Sequence, residues 1–280
     1  MTPLIPSTYS SIAQAQSPAF ELALLSDVGT NRDNNEDACG LWVENPETAL
    51  FAVADGIGGY EGGEVASAMA IEVTLEAYRE SPLEWGPATR LLRAAQRANV
   101  EIHHRALAIR ELCWMGTTLT AVVVSNGVLY ASHVGDCRLY LIRRGRITQI
   151  TKDHTAVEEQ VSMGLMTPAQ ARRHPDRSVL TRSVGQELIV SIARITLGLE
   201  KDDRVIVCSD GLHGVLNDRE LERTVRGLTA EAACRRLVEL ANQRGTADNV
   251  TAAVFIMKGE TGSVGARRSL WNRITRRFAK

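Results

Sequence analysis

The sequence has neither an excess of charge of one sign nor a long apolar run. Its 280 residues include 32 Lys and Arg against 33 Asp and Glu, a formal net charge of −1 at pH 7. That balance argues against a protein that coats nucleic acid. No run approaches the roughly 18 apolar residues of a membrane-spanning helix. With 44% hydrophobic and 23% charged residues, the composition is that of a globular chain.

Cysteine is scarce, and its spacing suggests no cross-link. The five cysteines are an odd number and contain no Cys-x-x-Cys pair, which disfavours both a disulfide framework and a zinc site. The pattern is typical of buried thiols in a reducing compartment, so we expect a cytoplasmic protein. The cysteines are Cys39, Cys113, Cys137, Cys208 and Cys234.

The two ends of the chain differ from its body. Residues 1–18 have no Lys or Arg and show no periodicity, which predicts a disordered leader rather than a signal peptide. Residues 259–280 carry six basic residues and one acidic residue. If 266–280 is helical, its apolar residues recur every four positions, which suits contact with an anionic membrane surface or a partner. A solvated, disordered tail is an equal alternative, because short isolated helices are marginal in water.

Between these ends the chain shows short strands rich in Val, Ile and Leu. Residues 127–150 are typical of an antiparallel meander with turns at Gly135-Asp136 and Arg144-Gly145. Because the strands do not alternate with helices, a parallel doubly wound sheet is disfavoured. The predicted strands are 21–25, 49–54, 117–124, 128–133, 138–142, 146–150, 204–208 and 250–257.

Helical periodicity is clear in two long early stretches, and two shorter helices are predicted later. The long helices span 62–79 and 87–110, and the later ones begin near Asn217 and Thr229. A polar segment from about 155 to 178, with Thr167-Pro168 as a helix start, is interpreted as an inserted flap. Antiparallel strands with amphipathic helices outside them predict an α+β sandwich over residues 19–258.

Aspartates lie at the ends of the predicted strands. Asp55, Asp136 and Asp210 follow apolar strands, Asp248 precedes one, and Asp37 follows a turn. Each alone is more simply a turn residue, since Asp-Gly and Asp-Asn are ordinary turn dipeptides. Gathered at one rim, such carboxylates would raise one another's pKa unless a cation neutralised them. All-oxygen ligation favours Mg²⁺ or Mn²⁺, and two such ions activate water for displacement at phosphorus, which predicts a phosphoesterase.

Arg32 stands five residues before Asp37, near the same turn. A guanidinium matches a phosphate dianion with two parallel hydrogen bonds, although a lone arginine is more often an ordinary surface residue. The glycines after Asp55 would leave the Gly56 carbonyl accessible as an ion ligand. Alternatively, they only allow a tight turn between a strand and a helix. No Gly-Lys-Ser/Thr follows, so this is not a phosphate-binding P-loop.

Six short motifs occur in a fixed order along the chain. They are Arg32-x-x-Asn35-Glu36-Asp37, Asp55-Gly56-x-Gly58-Gly59, Gly116-Thr117-Thr118, Gly135-Asp136-x-Arg138, Ser209-Asp210-Gly211-Leu212 and Asp248-Asn249-Val250-Thr251. In this order and spacing they resemble the metal-dependent serine/threonine protein phosphatases of the PPM (type 2C) family in their compact bacterial form. The resemblance covers about residues 20–258. Each motif is weak alone, but six in register are specific.

The resemblance implies a four-layer α-β-β-α sandwich, with two central antiparallel sheets between helical layers. It also implies a pair of Mn²⁺ or Mg²⁺ ions at one end of the sandwich. The implied metal ligands are Asp55 as the bridge between both ions, the Gly56 carbonyl, Asp210 and Asp248 on one ion, and Asp37 on the other, largely through water.

Further roles follow from the same resemblance. Arg32 would clamp the substrate phosphate, so Arg32 and Asp55 are the implied catalytic residues. A third, weaker ion near the flap would be held by Asp136 together with Asp210. The flap would tune substrate access.

Two positions depart from the family pattern. Ile57 stands where many eukaryotic relatives have a histidine resembling a general acid, so that side-chain acid is absent. Protonation of the leaving alkoxide then falls to a metal-bound water or to another residue, and His154 is one candidate. Anchoring of the flap is the favoured interpretation of His154. His213 is also unexpected after Gly211, and we interpret it as a turn residue.

The leading hypothesis is a metal-dependent phosphatase that removes phosphate from phosphoserine and phosphothreonine on proteins by attack of a metal-bound water. Its opponent would be a bacterial serine/threonine kinase, and we expect a monomer. The Cys-x5-Arg spacing from Cys137 to Arg143 runs through the predicted strand 138–142 and not through a loop, so a covalent cysteine mechanism is disfavoured. Three alternatives stay open: a catalytically silent binding module of the same fold, a phosphatase of small phosphoesters, and an adaptor centred on the basic tail.

Overall fold

The computed structural model describes residues 12–58 and 62–259. The strands in this part of the chain are β1 (Ile12–Gln16), β2 (Phe20–Asp27), β3 (Asp37–Asn45), β4 (Thr48–Ile57), β5 (Gly116–Thr117), β6 (Leu119–Ser125), β7 (Val128–Val134), β8 (Arg138–Arg143), β9 (Arg146–Gln149), β10 (Ala193–Gly198), β11 (Arg204–Cys208) and β12 (Val250–Met257). The helices are α1 (Gly62–Glu80), α2 (Gly86–Ala108), α3 (Ala156–Ser162), α4 (Pro168–Ala171), α5 (Asp210–His213), α6 (Asp218–Val225) and α7 (Ala230–Gln243), with short 3-10 helices at Leu83–Trp85 and Arg110–Leu112.

The strands form two antiparallel sheets. Sheet I has the order β1-β2-β12-β11-β8-β9. Sheet II has the order β10-β7-β6-β4-β3, and β5 pairs with β4 beside it. Every named strand pair within the described residues is antiparallel, which confirms the antiparallel prediction.

Three apolar clusters separate four layers. The central cluster lies between the sheets, where Phe255 of sheet I stacks on Phe20 at 5.4 Å and on Phe51 of sheet II at 5.9 Å between ring centroids. A second cluster joins sheet II to α1 and α2, and a third joins sheet I to α5, α6 and α7. The predicted α-β-β-α sandwich is therefore confirmed.

The helix starts follow their capping residues. Thr167 and Asn217 each form a capping box with the residue three positions on, and the Thr229 side chain accepts a hydrogen bond from the Ala232 amide. These bonds satisfy amides that the first helical turn leaves unpaired. The three predicted helix starts are confirmed.

The structure corrects the predicted leader. Residues 12–16 form β1, which pairs along its whole length with 21–25 of β2. Pairing with the edge of sheet I stabilises this strand, and the composition of residues 12–16 alone does not predict that pairing. Residues 1–11 and 260–280 lie outside the described residues, and with them the rest of the predicted leader and nearly all of the basic tail.

The predicted meander is also wrong in part. The turn at Arg144-Gly145 does join a hairpin, with both residues at positive φ. In contrast, Gly135-Asp136 joins β7 of sheet II to β8 of sheet I, so the chain crosses between the sheets there. A turn dipeptide marks a change of direction but does not specify which sheet the next strand joins. The prediction of buried thiols also fails at Cys113, which is exposed.

The segment after β9 is an insertion with little core of its own. Thr155 and Leu180 form an isolated bridge that closes its base, and α3 and α4 lie between them. Val157 and Ala171 are the buried residues of these two helices. Among the described residues, no helix combines the length and apolar character needed to cross a bilayer.

We predict that the phenylalanine stack holds the sheets together. Phe51→Ala should lower the free energy of unfolding by about 3–5 kcal/mol, because it removes a fully buried ring and leaves a cavity. Phe51→Leu should cost only about 1–2 kcal/mol, since it keeps most of the volume. Urea denaturation of the three proteins measures both values. A loss of less than about 1 kcal/mol in Phe51→Ala would contradict this role of the phenylalanine stack.

Candidate active site

The strand-end aspartates meet at one end of the sandwich. Asp37 at the start of β3 lies opposite Asp55 near the end of β4 in the ladder of sheet II, so both side chains project from the same face. In sheet I, β11 leads into Asp210 and Asp248 precedes β12, its antiparallel neighbour. Asp136 follows β7 at the crossing between the sheets. The structure thus brings together all five predicted aspartates.

Four of these five side chains, all except that of Asp37, line a cavity of about 230 Å³. Its lining residues are Asp55, Ile57, Thr118, Asp136, Ser178, Leu180, Gln186, Asp210 and Asp248. Ser178, Leu180 and Gln186 were not predicted from the sequence, because they reach the cavity only through the fold of the inserted segment and the chain after it. A larger surface depression of about 460 Å³ near Trp85 is lined by a single acidic residue, Glu80.

Burial and mutual repulsion raise the pKa values of the carboxyl groups. The pKa of Asp37 and that of Asp136 rise to about 7, and the pKa of Asp210 rises to about 6. The pKa of Asp55 lies well above its usual value. Loss of solvation is the largest cause in each case, and neighbouring aspartates add to it. The prediction that clustered carboxylates raise one another's pKa is confirmed.

Asp37 is held behind the cavity by two hydroxyl groups. Its Oδ2 atom accepts hydrogen bonds from Ser209 Oγ at 2.6 Å and from Thr251 Oγ1 at 2.7 Å. Thr251 lies in β12 of sheet I and Ser209 directly follows β11 of the same sheet, whereas Asp37 belongs to sheet II. These contacts therefore tie the two sheets together at the site.

Two threonines fix the backbone of Asp55. The Asp55 amide donates to Thr118 Oγ1 at 2.9 Å, and the Asp55 carbonyl accepts from Thr117 Oγ1 at 2.8 Å. The Thr118 amide donates to that same carbonyl at 2.8 Å. The Gly-Thr-Thr motif thus positions the aspartate rather than contributing an acidic group of its own.

Arg32 reaches the rim of the acidic cluster. Its Nη2 atom lies 2.9 Å from Asp248 Oδ2, and its Nε donates to the Ala247 carbonyl at 3.3 Å. The arginine side chain is 46% exposed, so it neutralises Asp248 while remaining open to a ligand. Its positive charge also lowers the pKa of Glu36, although burial of that carboxyl group raises it more.

One buried amide holds the loop that carries Arg32. The Nδ2 group of Asn249 donates to the carbonyls of Val28 and Asn34, each at 2.9 Å, and its Oδ1 accepts from the Glu36 amide at 2.8 Å. Asn249 belongs to one of the sequence motifs, but the motif did not predict this role. Its position directly after Asp248 was the feature of the sequence that could have pointed to it.

Two close approaches require glycine at the site. A Cβ atom on Gly56 would lie 2.1 Å from the Gly63 carbonyl oxygen, and one on Gly211 would lie 2.0 Å from that of Asn249. Any larger residue would force these backbones apart. The glycines therefore let α1 and α5 begin directly against the acidic cluster.

His154 and His213 anchor the crossing between the sheets, and His213, which was predicted to be a turn residue, is instead the last residue of α5. The Gly135 amide donates to His154 Nδ1 at 3.0 Å, and His213 Nε2 donates to the Asp136 carbonyl at 3.1 Å. Burial lowers the pKa of His154 to about 4 and that of His213 to about 3. Both rings are therefore neutral near pH 7, which disfavours His154 as a proton donor there. His154 also accepts from the Thr181 amide through its carbonyl, at the base of the inserted segment.

The donor set fits hard divalent cations. Among the described residues, Arg32 is the guanidinium that forms an ion pair with this cluster of five carboxylates, which leaves uncompensated negative charge. Oxygen ligands without Cys or His select ions such as Mn²⁺ and Mg²⁺. No three His, Cys, Asp or Glu side chains in the described ranges converge tightly enough to enclose an ion by themselves. Backbone carbonyls and water would therefore complete the coordination of any ion held here.

Comparison with known proteins agrees with this site. The family profile described as "Protein phosphatase 2C" matches residues 29–254, which include all the predicted site residues. The chain belongs to the protein phosphatase 2C family. This phosphatase is 32% identical over 247 residues to the protein phosphatase PhpP of Streptococcus pneumoniae, covering 86% of this chain and 99% of PhpP.

Mycobacterial phosphatases are also similar. The phosphatase is 37% identical over 234 residues to PstP of Mycobacterium tuberculosis, covering 83% of this chain and 44% of PstP. A crystal structure of the PstP catalytic domain with two manganese ions superposes with a TM-score of 0.76 at 32% identity, covering 89% of this chain and all of that one. The family relationship identifies the chain as a serine/threonine protein phosphatase.

We predict that Mn²⁺ stabilises the protein more at pH 8 than at pH 5.5. The folded pKa values of about 6 to 7 exceed the ordinary aspartate pKa of 3.8. Protons on these carboxyls therefore stabilise the metal-free fold at low pH, and that contribution is lost as the pH rises through 6 to 7. An ion competes with those protons and binds best when they have left. Melting temperatures with Mn²⁺ or EDTA at both pH values measure the effect.

The matched variants are Asp210→Asn and Asp202→Asn. The first should reduce the Mn²⁺-induced shift, whereas the second changes an exposed carboxylate outside the cluster and should leave it intact. A shift that is independent of pH, or equal in both variants, would contradict an ion bound by the cluster.

Proposed function

We propose that this phosphatase hydrolyses phosphoserine and phosphothreonine on proteins with the help of two Mn²⁺ or Mg²⁺ ions held by its acidic cluster. The observation that carries the proposal is a cluster of five aspartates at one end of the sandwich, four of which line one cavity, with Arg32 paired to Asp248 at its rim. The manganese pair in the PstP crystal structure supports the choice of ion.

The residues divide between the ions and the substrate. Asp55, the Gly56 carbonyl, Asp210, Asp248 and Asp37 would hold the two ions, with Asp37 acting largely through water. Such ions supply a nucleophile derived from water and positive charge against the phosphoryl oxygens. Asp136 with Asp210 would hold a third, weaker ion, since both carboxyls line the cavity beside the inserted segment.

Arg32 would bind two phosphoryl oxygens of the substrate. Its guanidinium is partly exposed and already pairs with Asp248, so it can orient a phosphate at the mouth of the cavity. Ile57 lines the cavity and offers no proton, and His154 is neutral and occupied by Gly135. Protonation of the leaving alkoxide is therefore assigned to a water in the cavity.

The cellular counterpart of this reaction would be a serine/threonine kinase. Hydrolysis of the phosphoester removes the phosphate that such a kinase adds to a protein hydroxyl. The cavity has room for one phosphorylated side chain. We propose that the enzyme acts as a monomer, because each proposed catalytic group comes from the same chain.

We predict Mn²⁺-stimulated release of phosphate from a phosphothreonine peptide. EDTA should abolish it, and Asp210→Asn should lower kcat by at least about 100-fold, because removal of one charged ligand weakens stabilisation of the transition state. Asp202→Asn should retain wild-type kcat. Phosphate release is measured with and without Mg²⁺ or Mn²⁺.

The alternatives give different outcomes. Absence of activity in folded, metal-loaded protein would favour a silent binding module. Faster hydrolysis of nucleotides or sugar phosphates than of phosphopeptides would favour a phosphatase of small esters. Either result would contradict the proposed function.

We predict that Arg32→Ala raises KM for the phosphopeptide and weakens inhibition by inorganic phosphate by at least about tenfold, because the guanidinium binds phosphoryl oxygens. Arg32→Lys should recover only part of the loss, since an ammonium group cannot form two parallel hydrogen bonds. Arg93→Ala alters an exposed arginine in the depression near Trp85 and serves as the control. Unchanged phosphate inhibition in Arg32→Ala would contradict this role.

A further inference from the structure

Four large apolar side chains are exposed to solvent near the contact between Gly116 and Gln186, beside the cavity. Ile189 is 84% exposed, Trp114 80%, Leu107 75% and Leu188 50%. One exposed apolar residue needs no explanation, but several in one region are typical of an interaction surface. We name these four side chains the apolar rim.

Contacts between three chain segments bring the apolar rim together. Trp114 lies two residues before Gly116, and a Cβ atom on Gly116 would lie only 2.9 Å from Cγ of Gln186. Leu188 and Ile189 follow Gln186 by two and three residues. At no more than about 3.5 Å per residue, these side chains stay close to the Gly116–Gln186 contact.

Leu107 joins the same region through α2. His103 lies one turn earlier on this helix, and its Nδ1 atom is 3.0 Å from the Gly185 carbonyl. Residues four apart on a helix lie on the same side. Leu107 therefore extends the face of α2 that contacts the loop bearing Leu188 and Ile189.

That loop is fixed rather than loosely attached. Asn99, which is 2% exposed, donates to the carbonyls of Glu187 and Leu188 at 2.9 and 3.0 Å and accepts from the Gly185 amide at 2.8 Å. Gly185 has a φ of +94°, and a Cβ atom there would lie 2.2 Å from Ile102 Cγ2. Because the loop is ordered before any partner arrives, its exposed side chains bind with little further loss of entropy.

The apolar rim is continuous with the cavity. Ile57 and Gln186 both line the cavity. Ile57 pairs with Gly116 in the ladder between β4 and β5, and Gln186 lies two residues before Leu188. A cavity of about 230 Å³ holds one phosphorylated side chain. The residues that flank it in a protein substrate must therefore lie outside, on surfaces such as this one.

We propose that the apolar rim binds the substrate polypeptide beside its phosphorylated residue. The enzyme therefore selects phosphoproteins with large apolar residues within a few positions of the phosphoserine or phosphothreonine. This inference rests on the proposed function and adds the class of substrate sequence. We propose the substrate, rather than a second copy of the chain, as the partner that binds this surface, because Ile57 and Gln186, which line the cavity, adjoin the apolar rim.

The test compares two phosphothreonine peptides of equal length and charge. One has Leu and Phe within three residues on both sides of the phosphothreonine, and the other has Ser and Asn there. Wild-type enzyme should show about tenfold higher kcat/KM for the apolar peptide, since burial of one large apolar side chain accounts for such a factor. Ile189→Ser and Trp114→Ser should each remove most of this preference by raising KM for the apolar peptide.

The same variants should keep wild-type kcat and wild-type hydrolysis of p-nitrophenyl phosphate, which has no flanking residues. Leu83→Ser is the matched control, because Leu83 is 72% exposed and precedes the opposite end of α2. The helix has 23 residues, so about 35 Å separates its two ends. This variant should retain the peptide preference.

The outcomes separate the two proposals. Hydrolysis of p-nitrophenyl phosphate without any preference between the peptides would overturn the apolar rim and leave the proposed function standing. A preference that survives in both rim variants would also overturn it. Conversion of a dimer to a monomer in these variants, with the preference unchanged, would show a self-association surface instead. Lack of Mn²⁺-dependent hydrolysis in the wild type would overturn both proposals.

Discussion

Repulsion among buried carboxylates is the constraint on which the rest of this structure depends. Asp37, Asp55, Asp136 and Asp210 all have raised pKa values because the sandwich removes them from water and brings them together. Stability alone would not favour such a cluster. A fold that maintains it gains a strong attraction for divalent cations, and the same charges then serve the chemistry of phosphate esters.

The surroundings of the cluster are built from neutral groups. Hydroxyls of Ser209 and Thr251 hold Asp37, the Gly-Thr-Thr segment holds the backbone of Asp55, and the amide of Asn249 holds the loop before Glu36. Neutral donors fix position without cancelling charge. Most of the negative potential of the cavity therefore remains available, and within the described part of the chain Arg32 opposes it through an ion pair with Asp248.

The sequence was most informative where structure is local. Helix starts at Asn217 and Thr229 and the aspartates at strand ends follow from capping and turn chemistry, and all were predicted correctly. Strands β1, β3 and β10 were not predicted, since short edge strands and strands interrupted by small residues have weak periodicity. The partners of Asp37 lie 172 and 214 residues away, and only the folded chain brings such groups together.

The chain crosses between the two sheets at Gly135-Asp136, and the division of the acidic cluster between those sheets has a mechanical consequence. Asp37 and Asp55 belong to one sheet, whereas Asp210 and Asp248 flank strands of the other, so the cluster is assembled from two bodies that meet across an apolar interior. The stack of Phe20, Phe255 and Phe51 sets how these bodies align. The spacing between the two halves of the cluster therefore depends on ring packing in the hydrophobic core as well as on the hydrogen bonds from Ser209 and Thr251 to Asp37. A substitution in the core that shifts one sheet relative to the other would alter the geometry of the cluster from a distance.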